Sequence, residues 1–343
     1  LARWITETWG CSEQAAFAEQ AGRLCKADLA TEMVRELTKL QGKMGGIYAR
    51  EEGLPEQVWK AIYYHYLPIG VEAEAPPSKT DLGLAAIPWA AVALADKLDS
   101  VVGMFLAGER PTGSRDPLGL RRQAQGIVKI LSDMPELTGV TARQELGELL
   151  HRAAQPFDSG EESVSVVAEF VADRFSYLLE QRGCDVRNIR AVLSGSVEKI
   201  CPLDARHKLE VLPEFTSSAD FTKLAIAFKR IKNIAKELKP DRFLEEERLY
   251  PDLAKELKES ADLALLEELN RRGPLLEEGL NSGNDYRKTF SEAAAFGPAV
   301  DLFFKEVLVM TDDERLRIAR LRLVTRLQNL ILRLADISEI VPE

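Results

Sequence analysis

Histidine is nearly missing from this chain: His65, His151 and His207 are the only three in 343 residues. Divalent-metal hydrolase centres need several imidazoles and carboxylates that converge. Three scattered histidines, none followed by Asp, fall short of that. Cysteine is as sparse. Cys11, Cys25, Cys184 and Cys201 lie far apart with no C-x-x-C pair, which argues against a zinc ribbon or a disulfide framework and for reduced cytosolic thiols. No G-x-S-x-G and no G-x-x-x-x-G-K-[ST] occurs, so neither a nucleophile elbow nor a P-loop is written here. The longest apolar run, 82–95, contains Pro88 and is too short to span a bilayer, and there is no secretory signal. The chain opens on Leu1, which reads as a fragment or a processed form.

What is present is helix. Apolar residues make up 45% of the chain and aromatics only 7%, with Ala and Leu dominant. No strand-like alternation and no fixed-period repeat is evident, so the expected fold class is all-α. Three blocks are expected: helical 1–132, a connector at 133–163 with a helix over 143–154 and a polar loop at 156–163, and helical 164–343. In the first block, 25–40 reads as one amphipathic helix and 55–66 as another. In the third, helices are expected over 164–182, stopped by Gly183, and over 185–193, capped by Asp185. A further helix is expected over 217–238. The acidic stretch 243–272 reads as a solvated helical face. Thr311 to Glu314 matches a capping box opening a helix to about Ser338.

The net charge of −10 excludes a uniformly basic coat but not local basic patches. Three patches stand out. The loop 108–117 breaks one helix and starts another, with Asp116 as expected N-cap and Pro117 in the first turn. Arg110, Arg115, Arg121, Arg122 and Lys129 gather around that start, where free N–H groups and the positive dipole end suit a phosphate. On the last helix, Arg315, Arg322, Arg326 and Arg333 share a face bordering the core stripe Leu316, Ala319, Leu323, Leu327, Leu330, Leu334 and Ile337. On 217–238, Lys229, Lys232 and Lys236 flank the buried set Phe221, Leu224, Phe228, Ile231 and Ala235. Such stripes suit an RNA-binding module with stacking residues, for which Phe303, Phe304 and Tyr286 are candidates. The alternatives are a salt-bridged helical interaction scaffold and a divergent metal phosphohydrolase built on Asp28, His65, Asp96 and Asp99.

Several strings share one further property. ALADKLD (93–99), PTGSRDP (111–117) and LRR (120–122) resemble the signature of the bacterial-type glycyl-tRNA synthetase beta subunit. So do LCKADL (24–29) with TEMV (31–34), LQGKMG (40–45), AIYYHYLP (61–68), PAVDLFFKEVLVM (298–310) and LADIS (334–338). Tyr64 stands where the family has Glu, and Leu37 and Lys39 also depart from its wording. The resemblance implies a helical HD-type domain that has lost its metal ligands, with Asp28, His65 and Asp96 as remnants, followed by a DALR-type anticodon-binding bundle. It implies tRNA-Gly as a partner, and an alpha subunit that carries the ATP and Mg2+ of glycine activation within an alpha2beta2 enzyme. This chain would then hold no catalytic residue, metal or cofactor of its own. The protein would be cytoplasmic, bacterial or organellar, and off the membrane.

Overall fold

The computed structural model describes residues 1–69, 76–113, 115–157 and 161–341. Among them the regular structure is helical, with an isolated bridge between Thr112 and Arg115 and no strand. The all-α expectation holds. The chain divides into two compact units, Leu1–Gly183 with Ser196–Arg206, and Cys184–Gly195 with His207–Glu343.

The first unit contains α1 (Ala2–Thr8), α2 (Ala15–Leu24), α3 (Glu32–Glu36), α4 (Lys43–Glu51), α5 (Glu56–Tyr64), α6 (Lys79–Leu82), α7 (Ala86–Leu106), α8 (Leu120–Ser132), α9 (Met134–Thr138), α10 (Leu146–Ala154) and α11 (Glu161–Gln181). The long apolar run becomes α7, in which Trp89, Ala90, Ala91, Leu94 and Leu98 are fully buried. A helix apolar on all sides must be surrounded, and α1, α2, α5, α8, α10 and α11 pack around it. On α4, a Cβ at Gly46 would lie 2.5 Å from the Tyr63 Cβ of α5, so only glycine allows that approach.

Two expectations are corrected here. Residues 25–40 are not one helix: α2 ends at Leu24, and short 3-10 turns flank α3. Asp28 turns inward, and its Oδ2 accepts from the backbone N–H groups of Gly42 (2.6 Å) and Gly45 (3.0 Å) at the start of α4. That folds the segment back instead of continuing the helix. Nor does 133–163 behave as a connector, and the structure divides at 183/184 instead of at 132/133 or 163/164. Met134, Leu146, Leu149 and Leu150 are buried, and Arg206 bridges Asp133 and Glu136. Residues 158–160 of the expected polar loop lie outside the described residues, and α11 opens at Glu161.

The second unit contains α12 (Val186–Val192), the end of α13 (Pro202–Thr216, which begins in the first unit), α14 (Ala219–Ala235), α15 (Pro240–Leu249), α16 (Ser260–Ser282), α17 (Tyr286–Ala294), α18 (Gly297–Glu306) and α19 (Glu314–Leu334). Asp185 caps α12 as expected, accepting from the N–H groups of Arg187 and Asn188. Phe221, Phe228, Phe290, Phe296 and Phe303 fill the core together with the expected apolar stripe of α19. Asp313, not Thr311, caps α19 by accepting from Leu316 N–H (3.1 Å). The helix ends at Leu334, earlier than expected.

The acidic stretch 243–272 is neither one helix nor a solvated face. It breaks between α15 and α16, and five of its carboxylates, Glu246, Glu247, Glu256, Glu259 and Asp262, pair with arginines of α19. Arg322 has no exposed surface. Its Nε donates to Glu247 (2.9 Å), its Nη1 to Glu256 (2.8 Å) and its Nη2 to the Tyr250 carbonyl. Arg320, 3% exposed, donates to Asp262 (3.1 Å) and the Leu308 carbonyl (2.9 Å) and pairs with Glu259. Arg326 donates to the second Glu247 oxygen (2.8 Å). Arg315 pairs with Glu246 (2.9 Å) and stacks on Tyr250, 3.3 Å from the ring centroid. A buried guanidinium is tolerated only with its donors this fully used. Truncating Arg322 to Ala takes three donors away at once and leaves Glu247 to Arg326 and Glu256 to Arg315 alone. It should lower unfolding stability by about 3–5 kcal/mol, read from urea titration. A loss under about 1 kcal/mol, the range of exposed pairs, would contradict the assigned role.

Candidate RNA interface

The loop before α8 was the first candidate. Gly119, at φ +66°, turns the chain so that α8 opens at Leu120. Asp116 and Pro117 are therefore outside the helix, which corrects the expected start. Asp116 still caps it from upstream: Oδ1 accepts from Leu120 N–H (2.8 Å) and Oδ2 from Arg121 N–H (3.1 Å). A carboxylate thus takes the donors that a phosphate would need. Arg121 is committed as well, donating from Nη2 to the Gly113 carbonyl (2.8 Å). Arg110, Arg115 and Arg122 are exposed, and Lys129 is half-buried. The bare anion platform expected here reduces to three exposed arginines beside a helix mouth that is already capped.

Of the three residues expected as remnants of a metal site, His65 and Asp96 meet at a lysine. Lys26 donates to Asp96 Oδ2 (2.8 Å), faces His65 Nε2 at 3.0 Å and lies 3.8 Å over the Tyr66 ring. His65 is fully buried and its Nδ1 meets the Ile62 carbonyl at 2.6 Å. With Nδ1 donating and Nε2 accepting, the ring is neutral. Burial first, then the Lys26 charge, push its pKa down to about 4. Burial works against the Lys26 charge too, but Asp96 outweighs it and holds that pKa above the ordinary lysine value. Asp28 is occupied as the cap of α4. Lys97, fully buried, donates to the His65 and Tyr66 carbonyls (3.0 Å each), and burial pushes its pKa down to about 7.

An ammonium between His65 and Asp96 is a poor fit to a divalent ion, which needs unprotonated donors on all sides. Among the described residues no group of three or more His, Cys, Asp or Glu is placed to hold a metal. A cavity of about 590 Å³ opens beside Lys26 and Asp96. Its rim mixes Arg3, Arg23 and Arg152 with Glu7, Glu19 and Asp99, and Arg3 is paired to both glutamates. The rim therefore has no clear preference for an anion.

The two basic stripes of the second unit part company. On α19, Arg322 is buried, and Arg315 and Arg326 are held by Glu246, Glu256 and Glu247. The expectation that this stripe faces RNA is corrected, because its charge is neutralised inside the unit. Arg333 alone of the four is well exposed, beside Asn281 (3.1 Å) and Glu277 (3.5 Å). On α14 the expected buried set is indeed buried, and Lys229 and Lys236 are exposed. Lys232 is drawn to Asp336 and Ser338 and so leaves the stripe. Between residues 219 and 236 stand five cations, Lys223, Lys229, Arg230, Lys232 and Lys236, against the single acid Asp220.

Of the aromatic candidates, Tyr286 (3% exposed) and Phe303 (0%) belong to the core. Phe304 is half-buried, with the exposed Arg230 guanidinium 4.3 Å over its ring. Arg230 escapes the sequence reading because it falls outside the Lys229 stripe. Its signal is its place on the same outward arc as the exposed Ile226, one turn away.

Fold and site together define an all-α protein of two units, with a basic surface on one helix of the second. A family model described as glycyl-tRNA synthetase beta subunit matches residues 1–194, more than half of the 343, and the chain belongs to that family. It is 36% identical over 338 residues to a glycine–tRNA ligase beta subunit of Acidobacterium capsulatum, covering 97% of this chain and 45% of that protein. It is 34% identical over 343 residues to that of Dechloromonas aromatica, covering 99% and 45%. A third, from Geobacter sp. strain M21, is 36% identical over 326 residues, covering 94% and 44%. The chain thus spans less than half the length of the curated relatives it matches. Among the described residues no helix is long and apolar enough to cross a membrane.

The buried neutral imidazole has a consequence for acid stability. His65 titrates near 4 in the fold and near 6.5 unfolded, so between those values the unfolded chain binds more protons and stability falls on acidification. His65→Gln should remove part of the stability lost between pH 6.5 and 4, measured by urea unfolding across that window. An identical pH dependence in both proteins would contradict the buried neutral ring.

Proposed function

We propose that this chain is the tRNA-gripping portion of a glycine–tRNA ligase beta subunit. It holds tRNA-Gly while glycine is activated, with ATP and Mg2+, on a separate alpha subunit of an alpha2beta2 enzyme. The observation that carries the reading is α14. A chain with net charge −10 keeps Lys229, Arg230 and Lys236 exposed on one helix while it neutralises the arginines of α19. Locally concentrated positive charge on an acidic body favours a polyanion at one place and repels it elsewhere. Family membership narrows the polyanion to tRNA. In this reading the first unit is an HD-type domain without a metal role. The second is the DALR-type anticodon-binding module. Arg110, Arg115 and Arg122 add a smaller contact to the acceptor side, no residue of the chain is catalytic, and the enzyme works in the cytoplasm.

The test is salt-titrated binding to tRNA-Gly and to a non-cognate tRNA. Reversing two charges with Lys229→Glu and Lys236→Glu should weaken binding and reduce the slope of log affinity against log salt by about two. Both residues are exposed, so folding should persist by circular dichroism. Unchanged affinity and slope would remove α14 from the RNA surface.

A further inference from the structure

Basic residues account for affinity to a phosphate backbone, but the same face carries something that a phosphate does not need. α14 and α18 pack side by side. From α18, Phe304 presents a half-buried ring, set edge-on against the buried Phe303 at 5.4 Å and 72°. From α14, the Arg230 guanidinium lies 4.3 Å from the Phe304 centroid. One turn before Arg230 is Ile226, 54% exposed, and four residues after Phe304 is Leu308, 70% exposed. Lys229 and Lys236 lie along the same exposed side of α14.

We propose that Phe304 and Arg230 form a stacking clamp for one unpaired base of the bound tRNA, with Lys229 and Lys236 on the flanking phosphates. This inference rests on the tRNA-binding reading and narrows it to two side chains. A guanidinium is flat, cationic and weakly hydrated, and in the free protein it takes the position that a base takes against an aromatic face. A base can enter between the two planes or displace Arg230 outward onto a phosphate. Apolar surface bordered by cations suits single-stranded RNA, whose bases expose their π-faces, and not a duplex, whose bases are stacked within. The edge-on contact with the buried Phe303 holds the Phe304 ring, so the platform exists before RNA arrives.

The experiment compares binding of tRNA-Gly, its isolated anticodon stem-loop and a blunt-ended, fully paired RNA duplex of equal length. Phe304→Leu should weaken binding to the first two about five- to tenfold, within what one stacked base contributes, and leave the duplex unchanged. Arg230→Lys keeps the charge and removes the plane. Being at the surface it should fold normally, and it should weaken stem-loop binding with the salt slope retained. Phe304→Trp should give a fluorescence signal that the stem-loop quenches. If both variants bind the stem-loop as the parent does while the salt slope persists, the clamp is wrong and the tRNA reading stands. Equal losses on the duplex also overturn it, because no unpaired base is then involved. If the parent protein binds none of the three RNAs at low salt, the clamp and the tRNA reading fall together.

Discussion

The buried contact between the arginines of α19 and the carboxylates of 246–262 is the interaction on which the second unit depends. Arg320 and Arg322 sit in an apolar interior where an unpaired guanidinium would be untenable. Glu247, Glu256, Glu259 and Asp262 offset that cost, and in doing so pull α15, the following turn and the start of α16 onto α19. Arginine suits this better than lysine, because one planar head can serve two carboxylates and a carbonyl at once. The same contact settles where surface charge remains. With Arg315, Arg320, Arg322 and Arg326 and the acidic stretch neutralising each other, Lys229 and Lys236 of α14 remain exposed, as does Arg333.

Aspartate does related work at shorter range. Asp28, Asp116, Asp185 and Asp313 each accept backbone N–H groups at a helix start. The first two lie in the strings that look most like a functional signature. Asp28 caps α4 from fourteen residues upstream of Gly42, and Asp116 caps α8 across a left-handed glycine. At both positions the carboxylate serves a reversal of the chain. Lys26 belongs to the same pattern, since its ammonium links Asp96 to the neutral His65 and joins α5 to α7 through side chains alone.

Much of the fold was legible in the sequence. Helical periodicity located α14 and α19 and their buried stripes, because a stripe of Leu and Phe at 3.6-residue spacing has one way to be buried. Asp185 and Gly183 marked real ends. What failed was every judgement that needed a partner distant in sequence. Arg322 and Lys229 look alike on a helical wheel, yet one faces Glu247 and Glu256, and the other faces solvent. The acidic stretch looked solvated for the same reason, and 133–163 looked like a linker because the surface of α7 that covers it is far away in the chain. Of the stacking candidates, Phe303 and Phe304 differ by one position and hence by about 100° of helix, which is enough to bury one and half-expose the other.

The central claim is that the arginines of α19 build the fold while the lysines of α14 meet RNA. Chemical footprinting with and without tRNA-Gly tests it directly, using an amine acylating reagent for lysine and a dicarbonyl for arginine. The account predicts that Lys229 and Lys236 react freely in the protein alone and are protected by tRNA. It predicts that Arg320 and Arg322 stay unreactive in both states. Lysines on α14 labelled equally with and without tRNA, or Arg322 reactive until RNA covers it, would contradict the account.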